Sequence, residues 1–318
     1  MLGPPKALIV TAGLLHGDRV GQLGVRVCPL VPIANRPLLA HVLDGLRSAG
    51  VREAAVLGDG ATRAEVAAVL GAGSSELAIR YVDHVDARAI DAPAVIVQPA
   101  DAMLRAAFDT ALLEVATARI DGAVMRLAAP AARVGACVLG TEAADALAAS
   151  LDGSRASVDA LADTLVASSE RVSVDEVRGC LACGDGNDGL LRANRLALET
   201  LVGDVDGASL VDSEIQGPAV IHPTARLRST LVRGPVVIGA GVKLDDVYVG
   251  PYTAIADDVV IEGAEIEHSL VLGGAEVRYP GVRLTTSIIG PRARLVRDFH
   301  LPRGMRVAVG ADALVALS

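Results

Sequence analysis

Four cysteines, two lysines and a few scattered histidines set the chemistry open to this chain of 318 residues. Cys180-Leu181-Ala182-Cys183 is a CxxC spacing, which serves dithiol redox chemistry or supplies half of a zinc site. No second CxxC or CxxH follows, so two small core residues beside a turn is the simpler reading. Cys28 and Cys137 lie far from the pair. A chain of this size builds its own core without staples, so reduced thiols are expected. Lysine occurs only at Lys6 and Lys243, so 27 of the 29 basic residues are arginine. Any mechanism that needs an active-site lysine has almost nowhere to find one. Asp101 directly follows the run Ala94-Val95-Ile96-Val97-Gln98-Pro99-Ala100, at the carboxyl end of a strand, where open α/β sheets bind ligands. The same position suits the N-cap of a helix over 102–118.

Several functions are excluded by composition. A net charge of −9 argues against a nucleic-acid surface, and the absence of Trp with only two Phe leaves no stacking platform. The start, MLGPPKALIVTAG, carries one lysine and an apolar run that stops at Gly13. That is neither a signal peptide nor a membrane span, so a cytoplasmic protein with no membrane partner is expected.

The elements that must position these residues fall into two groups. Strands are expected at 7–10, 53–57, 77–82, 94–98 and 122–127. Helices are expected at 38–46, 62–70, 102–118, 142–151, 157–168 and 190–201. Their alternation predicts an α/β domain over 1–205, with a mixed, mostly parallel sheet covered on both faces. From residue 206 to 318 helical periodicity gives way to a repeat. Ile215, Ile221 and Leu227 are six apart, as are Val232, Ile238 and Leu244, and again Val249, Ile255 and Ile261. Corresponding positions recur every 17 residues, continuing to Ile266. One inward aliphatic residue per six is the mark of a three-sided β-helix, here of about four coils, loosening near Arg278–Arg283. Such prisms serve as acyltransferases, assembly platforms or allosteric contacts. Acyl transfer would need a His at a coil–coil cleft, for which His222 and His268 are the candidates. The tail from Val307 fits a closing strand or cover, and a homo-oligomer or a paralogous partner subunit is expected.

The two halves together resemble the long-form sugar-1-phosphate nucleotidylyltransferases, glucose-1-phosphate thymidylyltransferase-like, with a Rossmann-like domain and a C-terminal left-handed β-helix. The stretches that carry the likeness are Lys6–Gly13, Val31-Pro32-Ile33-Ala34-Asn35-Arg36-Pro37, Leu190–Arg195, Val211–Pro218, Val249–Thr253 and Glu267–Leu272. The resemblance implies attack of a sugar phosphate on the α-phosphate of a nucleoside triphosphate, with Mg²⁺ held by carboxylates and pyrophosphate leaving.

Carried over residue by residue, it gives Gly13, Gly17 and Arg19 as the phosphate loop. Arg19 is its cation and a catalytic residue beside Asp101. Asp101 is also the first metal carboxylate. The second is Asp185, with a one-residue slip, or Cys183 occupies that spot. The family's GGxGTR loop is here Gly13-Leu14-Leu15-His16-Gly17-Asp18-Arg19, in which a bulky Leu and an added carboxylate disfavour triphosphate. Its phosphate-binding lysine falls on Cys28, and Arg26 nearby is no simple substitute. The lysine of its Glu-Lys-Pro segment has no counterpart, since none stands between residues 6 and 243. Two readings follow. Either the cleft no longer performs nucleotidyl transfer and is a repurposed small-molecule pocket, lined by Leu14, Leu15, Arg26, Cys28 and Gln98, or a regulatory or structural subunit. Or it is an active enzyme that uses Mg²⁺, a nucleoside triphosphate and arginine in place of lysine.

Overall fold

A computed structural model of the chain describes residues 3–11, 28–104, 108–128, 133–148, 157–169, 171–205 and 207–297. The strands of the first part are β1 (Lys6–Val10), β2 (Pro32–Ile33), β3 (Arg36–Pro37), β4 (Glu53–Leu57), β5 (Ala78–Val82), β6 (Val95–Pro99), β7 (Ala102–Leu104), β8 (Gly122–Leu127), β9 (Val134–Leu139), β10 (Val172–Val177) and β11 (Gly179–Leu181). Seven of them form the central sheet in the order β10-β8-β9-β6-β1-β4-β5. β1 is parallel to both neighbours, whereas β9 runs antiparallel to β6 and β8, which makes the sheet mixed.

Both faces of this sheet are covered, and β1 shows why its sequence is apolar throughout. Successive side chains of a strand point to opposite faces. Ala7 and Ile9 pack with Leu39 and Leu46 of the helix Leu38–Ser48, while Leu8 and Val10 pack with Leu161 and Leu165 of the helix Val158–Ser168. With water excluded from both sides, alternation has nothing to encode.

One helix departs from the sequence reading. The helical pattern over 102–118 resolves into β7 and a shorter helix, Asp109–Ala116. Ala102–Leu104 instead pairs antiparallel with β11, in the register Ala102↔Leu181 and Leu104↔Gly179. Tertiary pairing overrides local propensity here, and Asp101 therefore precedes a strand rather than capping a helix.

From Ser209 to Val296 the chain winds as a parallel β-helix. Ile215↔Val232, Ile221↔Ile238 and Leu227↔Leu244 are directly paired, as are Val232↔Val249, Ile238↔Ile255 and Leu244↔Ile261. The 17-residue repeat is thus the rise of one coil. The step then shortens to 16 residues at Ile255↔Val271 and Ile261↔Val277 and lengthens to 18 at Ile266↔Leu284 and Leu270↔Ile288. The inward aliphatics form one continuous core. Arginine–carboxylate pairs such as Arg228–Asp245 and Arg294–Glu276 bridge successive coils at the surface.

The two parts are clasped together by the polar stretch around residue 34. β2 and β3 make a tight hairpin whose central residues, Ala34 and Asn35, have φ of 45° and 61°. Two positive φ values in a row are what a two-residue hairpin of this twist requires. Ala34 bears them at a cost, and it is held there: its N–H donates to Asn194 Oδ1 at 3.0 Å. The Asn194 amide in turn donates to the Tyr252 carbonyl at 2.9 Å, and Asn35 donates to the Ile255 carbonyl at 2.7 Å. Leu190, Ala193 and Leu196 pack with Ala254 and Leu270 of the β-helix in the same seam. Among the described residues no helix is long and apolar enough to cross a membrane. The tail from Val307 lies outside the described residues.

Candidate functional site

The carboxyl ends of β1, β4 and β6 meet at one edge of the sheet. The Ala100 N–H donates to the Val10 carbonyl at 2.9 Å, and the Thr11 hydroxyl donates to the Leu57 carbonyl at 2.7 Å. Immediately beyond, Asp101 is 1% exposed. The β7–β11 pairing fixes what surrounds it. That register continues through the Ala182 N–H, which donates to the Asp101 carbonyl at 2.9 Å. The turn that follows β11 then folds over the side chain, and the Cys183 and Gly184 N–H groups donate to Asp101 Oδ2 at 3.2 and 3.1 Å. The helix Gly186–Leu198 starts here and lies tight on β11. A Cβ on Gly189 would sit 2.5 Å from the Ala182 carbonyl oxygen, a distance only glycine permits.

Two amides favour the ionised carboxylate, but burial opposes it and wins, holding the Asp101 carboxyl above its ordinary range. Its second oxygen, Oδ1, is buried and has no hydrogen-bond partner among the described residues. Two sulfurs lie close to this carboxylate. Cys28 arrives on the single turn Cys28–Leu30, 2% exposed, and is joined to Cys183 by a disulfide with a Cα separation of 6.2 Å. Each of Cys28, Cys183 and Asp101 places a ligand atom within 4.8 Å of the others.

The expectation of four reduced thiols is corrected on this point: Cys183 pairs not with its CxxC neighbour but across 155 residues with Cys28. Cys180 is a strand residue opposite Met103, and its sulfur lies 4.0 Å from the Gly189 carbonyl oxygen. Burial pushes its thiol, and that of Cys137 on β9, up to about 12, so neither is a ready nucleophile.

The remaining sequence candidates separate. Asp185 stands outside the Asp101 group, and its carboxylate is ion-paired with Arg192 two turns along the helix. Gln98 is 3% exposed and donates to the Ala102 carbonyl at 2.7 Å, tying the turn around Asp101 rather than offering its amide outward. His222 bonds Thr224 on its own coil at 2.9 Å, and His268 stacks on Tyr252 at 5.4 Å. Gly13, Leu14, Leu15, Gly17, Arg19 and Arg26 lie outside the described residues.

The pairing of Cys28 with Cys183 escaped the sequence reading. The signal for it was that Cys28 falls on the position which the resemblance assigns to a phosphate-binding lysine, and Cys183 on one of the two positions it offers for a metal carboxylate. Mg²⁺ requires oxygen ligands in near-octahedral array. Among the described residues, the donors gathered here are two sulfurs and one carboxylate, with Asp185 engaged elsewhere, and that set does not fit Mg²⁺.

No family model matches the chain. A glucose-1-phosphate thymidylyltransferase of Streptomyces griseus is 27% identical over 360 aligned positions, covering 98% of this chain and 99% of the relative. A glucose-1-phosphate thymidylyltransferase of Streptomyces antibioticus is 33% identical over 129 residues, covering 40% of this chain and 36% of the relative. Among solved structures, a Bacillus anthracis protein assigned as a glucose-1-phosphate thymidylyltransferase superposes with a TM-score of 0.50 at 13% identity, covering 63% of this chain and 98% of its own. That likeness speaks for the fold. Together with the mixed α/β sheet and the parallel β-helix, these matches make the chain a relative, over nearly its whole length, of the sugar-1-phosphate nucleotidyltransferases.

Proposed function

We propose that this chain keeps the nucleotidyltransferase architecture without normal nucleotidyl transfer, and that its cleft serves to bind a small molecule. The observation that carries this reading is the fate of the Asp101 carboxylate. One oxygen is held by the turn amides, the carboxylate lies within 4.8 Å of the Cys28 and Cys183 sulfurs, and Asp185 is bound to Arg192. A carboxylate pair gripping Mg²⁺ against a triphosphate has no counterpart in that arrangement. The scarcity of lysine adds to it, since two transition-state cations are missing and each commonly contributes about 10²–10³ in rate. A single chain, or a homo-oligomer or paralogous pair built through the β-helix, would then present the cleft as a regulatory or repurposed site.

A second reading, active sugar-nucleotide synthesis with arginine in place of lysine, is favoured by one finding: the end-to-end similarity to the Streptomyces griseus thymidylyltransferase. One assay separates the two. The full chain is incubated with Mg²⁺, glucose 1-phosphate and each nucleoside triphosphate in turn, and pyrophosphate release is followed. The expected result is no turnover above the protein-free control. Turnover of about 1 s⁻¹ or more overturns the proposal. In the inactive case a thermal shift with dTTP identifies a nucleotide-binding regulatory cleft, and its absence identifies a repurposed one.

A further inference from the structure

We propose that, once the Cys28–Cys183 bond is reduced, Cys28, Cys183 and Asp101 together hold one thiophilic divalent cation of the zinc class. The three side chains come from widely separated stretches of sequence, the turn before β2, the end of β6 and the turn after β11, yet their ligand atoms lie within 4.8 Å of one another. Two thiolates and a carboxylate are a soft-to-borderline set that suits Zn²⁺ and disfavours Mg²⁺ or Ca²⁺.

A second observation points to a ligand independently. Asp101 Oδ1 is buried with no partner among the described residues, although leaving such an oxygen unsatisfied is costly. Its sister oxygen is fixed by two backbone amides, so the free oxygen is already oriented, as outer hydrogen bonds orient a metal ligand. Zinc–sulfur bonds of about 2.3 Å separate two thiolates on one tetrahedral ion by roughly 3.8 Å. Cysteines with Cα atoms 6.2 Å apart span that separation with side-chain rotation alone. Three protein ligands leave a fourth position for water or a bound molecule.

The ion and the disulfide exclude each other, because both use the same two sulfurs. A phosphine reductant converts the bond to two thiols, taking the oxygen of one water molecule as its oxide. Binding of the divalent ion then releases the two thiol protons to solvent. The site does not depend on whether nucleotidyl transfer occurs, since its readout is the metal spectrum and not turnover.

The test uses the full chain, reduced with a phosphine and freed of it under inert gas, then titrated with Co²⁺ alone. The expected result is a near-ultraviolet thiolate-to-cobalt band with tetrahedral visible absorption. It saturates at one ion per chain, is displaced by Zn²⁺, and is absent from the oxidised protein. Cys28→Ser and Cys183→Ser should each lower the charge-transfer band by about half and weaken binding roughly tenfold or more. Asp101→Asn should weaken binding while leaving the two-sulfur band intensity. Cys180→Ser should change neither. Lack of the band in reduced wild-type protein overturns the proposal, as does an undiminished band in Cys28→Ser and Cys183→Ser combined. Comparison of reduced with oxidised wild-type protein decides the matter even where a cysteine variant fails to fold.

Discussion

Replacing Asn194 should uncouple the two halves of the molecule. The residue is 1% exposed and both ends of its amide are engaged, accepting from Ala34 N–H at 3.0 Å and donating to the Tyr252 carbonyl at 2.9 Å. Asn194→Ala strands both backbone groups in a site that water does not reach. Each unsatisfied buried group costs about 1–3 kcal/mol, so the pair costs about 2–6 kcal/mol. It also releases Ala34, whose φ of 45° is tolerated only while something holds it. Set against a total stability of about 5–15 kcal/mol, this is a large fraction. Urea unfolding followed by circular dichroism should show an unfolding free energy lowered by that amount, with a correspondingly lower midpoint. Limited proteolysis should cut more readily between the helix Gly186–Leu198 and Ser209, the connection between the two halves. Asn194→Asp keeps the acceptor for Ala34 but turns a charge against the Tyr252 carbonyl, so it should be no better than alanine at neutral pH. A value for Asn194→Ala within about 0.5 kcal/mol of wild type would refute the reasoning, because that is the range of ordinary surface substitutions.

Two further outcomes follow from the geometry around Asp101. Gly189→Ala places a methyl group 2.5–2.6 Å from the carbonyl oxygens of Ala182 and Leu181, which are backbone and cannot swing aside. The helix must lift off β11, at about 1–3 kcal/mol, and thiol counting on the denatured variant should show Cys28–Cys183 forming incompletely. Unchanged stability together with a complete disulfide would sink this account of the turn. The Asp101 carboxyl is held above its ordinary range by burial, so its protonated form favours the fold. The stability it contributes is full below the unfolded carboxyl range and is lost as pH rises through the raised folded value. Asp101→Asn, uncharged throughout, should therefore melt higher than wild type near neutrality. The gap should close towards pH 3. A wild-type advantage that widens with rising pH contradicts burial as the dominant cause.

Legibility differed sharply between the two halves. In the β-helix every coil repeats the same physical demand, one aliphatic residue inward per face, so Ile215, Val232 and Val249 announce their own pairing. The count breaks only in the later coils, where the step becomes 16 and then 18 residues. The α/β half was readable where each element satisfied its own pattern, as in the helix Leu38–Ser48. It was not readable at Ala102–Leu104, an alanine- and leucine-bearing stretch whose helical pattern gave way to three residues of β11 lying alongside. Propensity is a sum over near neighbours, and that partner lies nearly eighty residues away.

The site was hidden for the same reason, carried one step further. Asp101 can be located from its strand, but what an acidic group does depends on what is brought against it. Those groups are delivered by the β7–β11 register, by Gly189 permitting the helix to close, and by the turn that carries Cys28. None of these is written near residue 101. The CxxC spacing pointed to a local pair, yet Cys180 faces the core on a strand while Cys183 leaves it on a turn, so the two sulfurs of the motif are directed to different surroundings. The stretches Val31–Pro37 and Leu190–Arg195, which drew attention through family likeness, owe their asparagines to a task that is mechanical: Asn35 and Asn194 bind the α/β half to the β-helix. A motif shared with enzymes can thus persist through the demands of docking two domains, and its presence by itself carries no weight in deciding whether the cleft beside it still transfers a nucleotide.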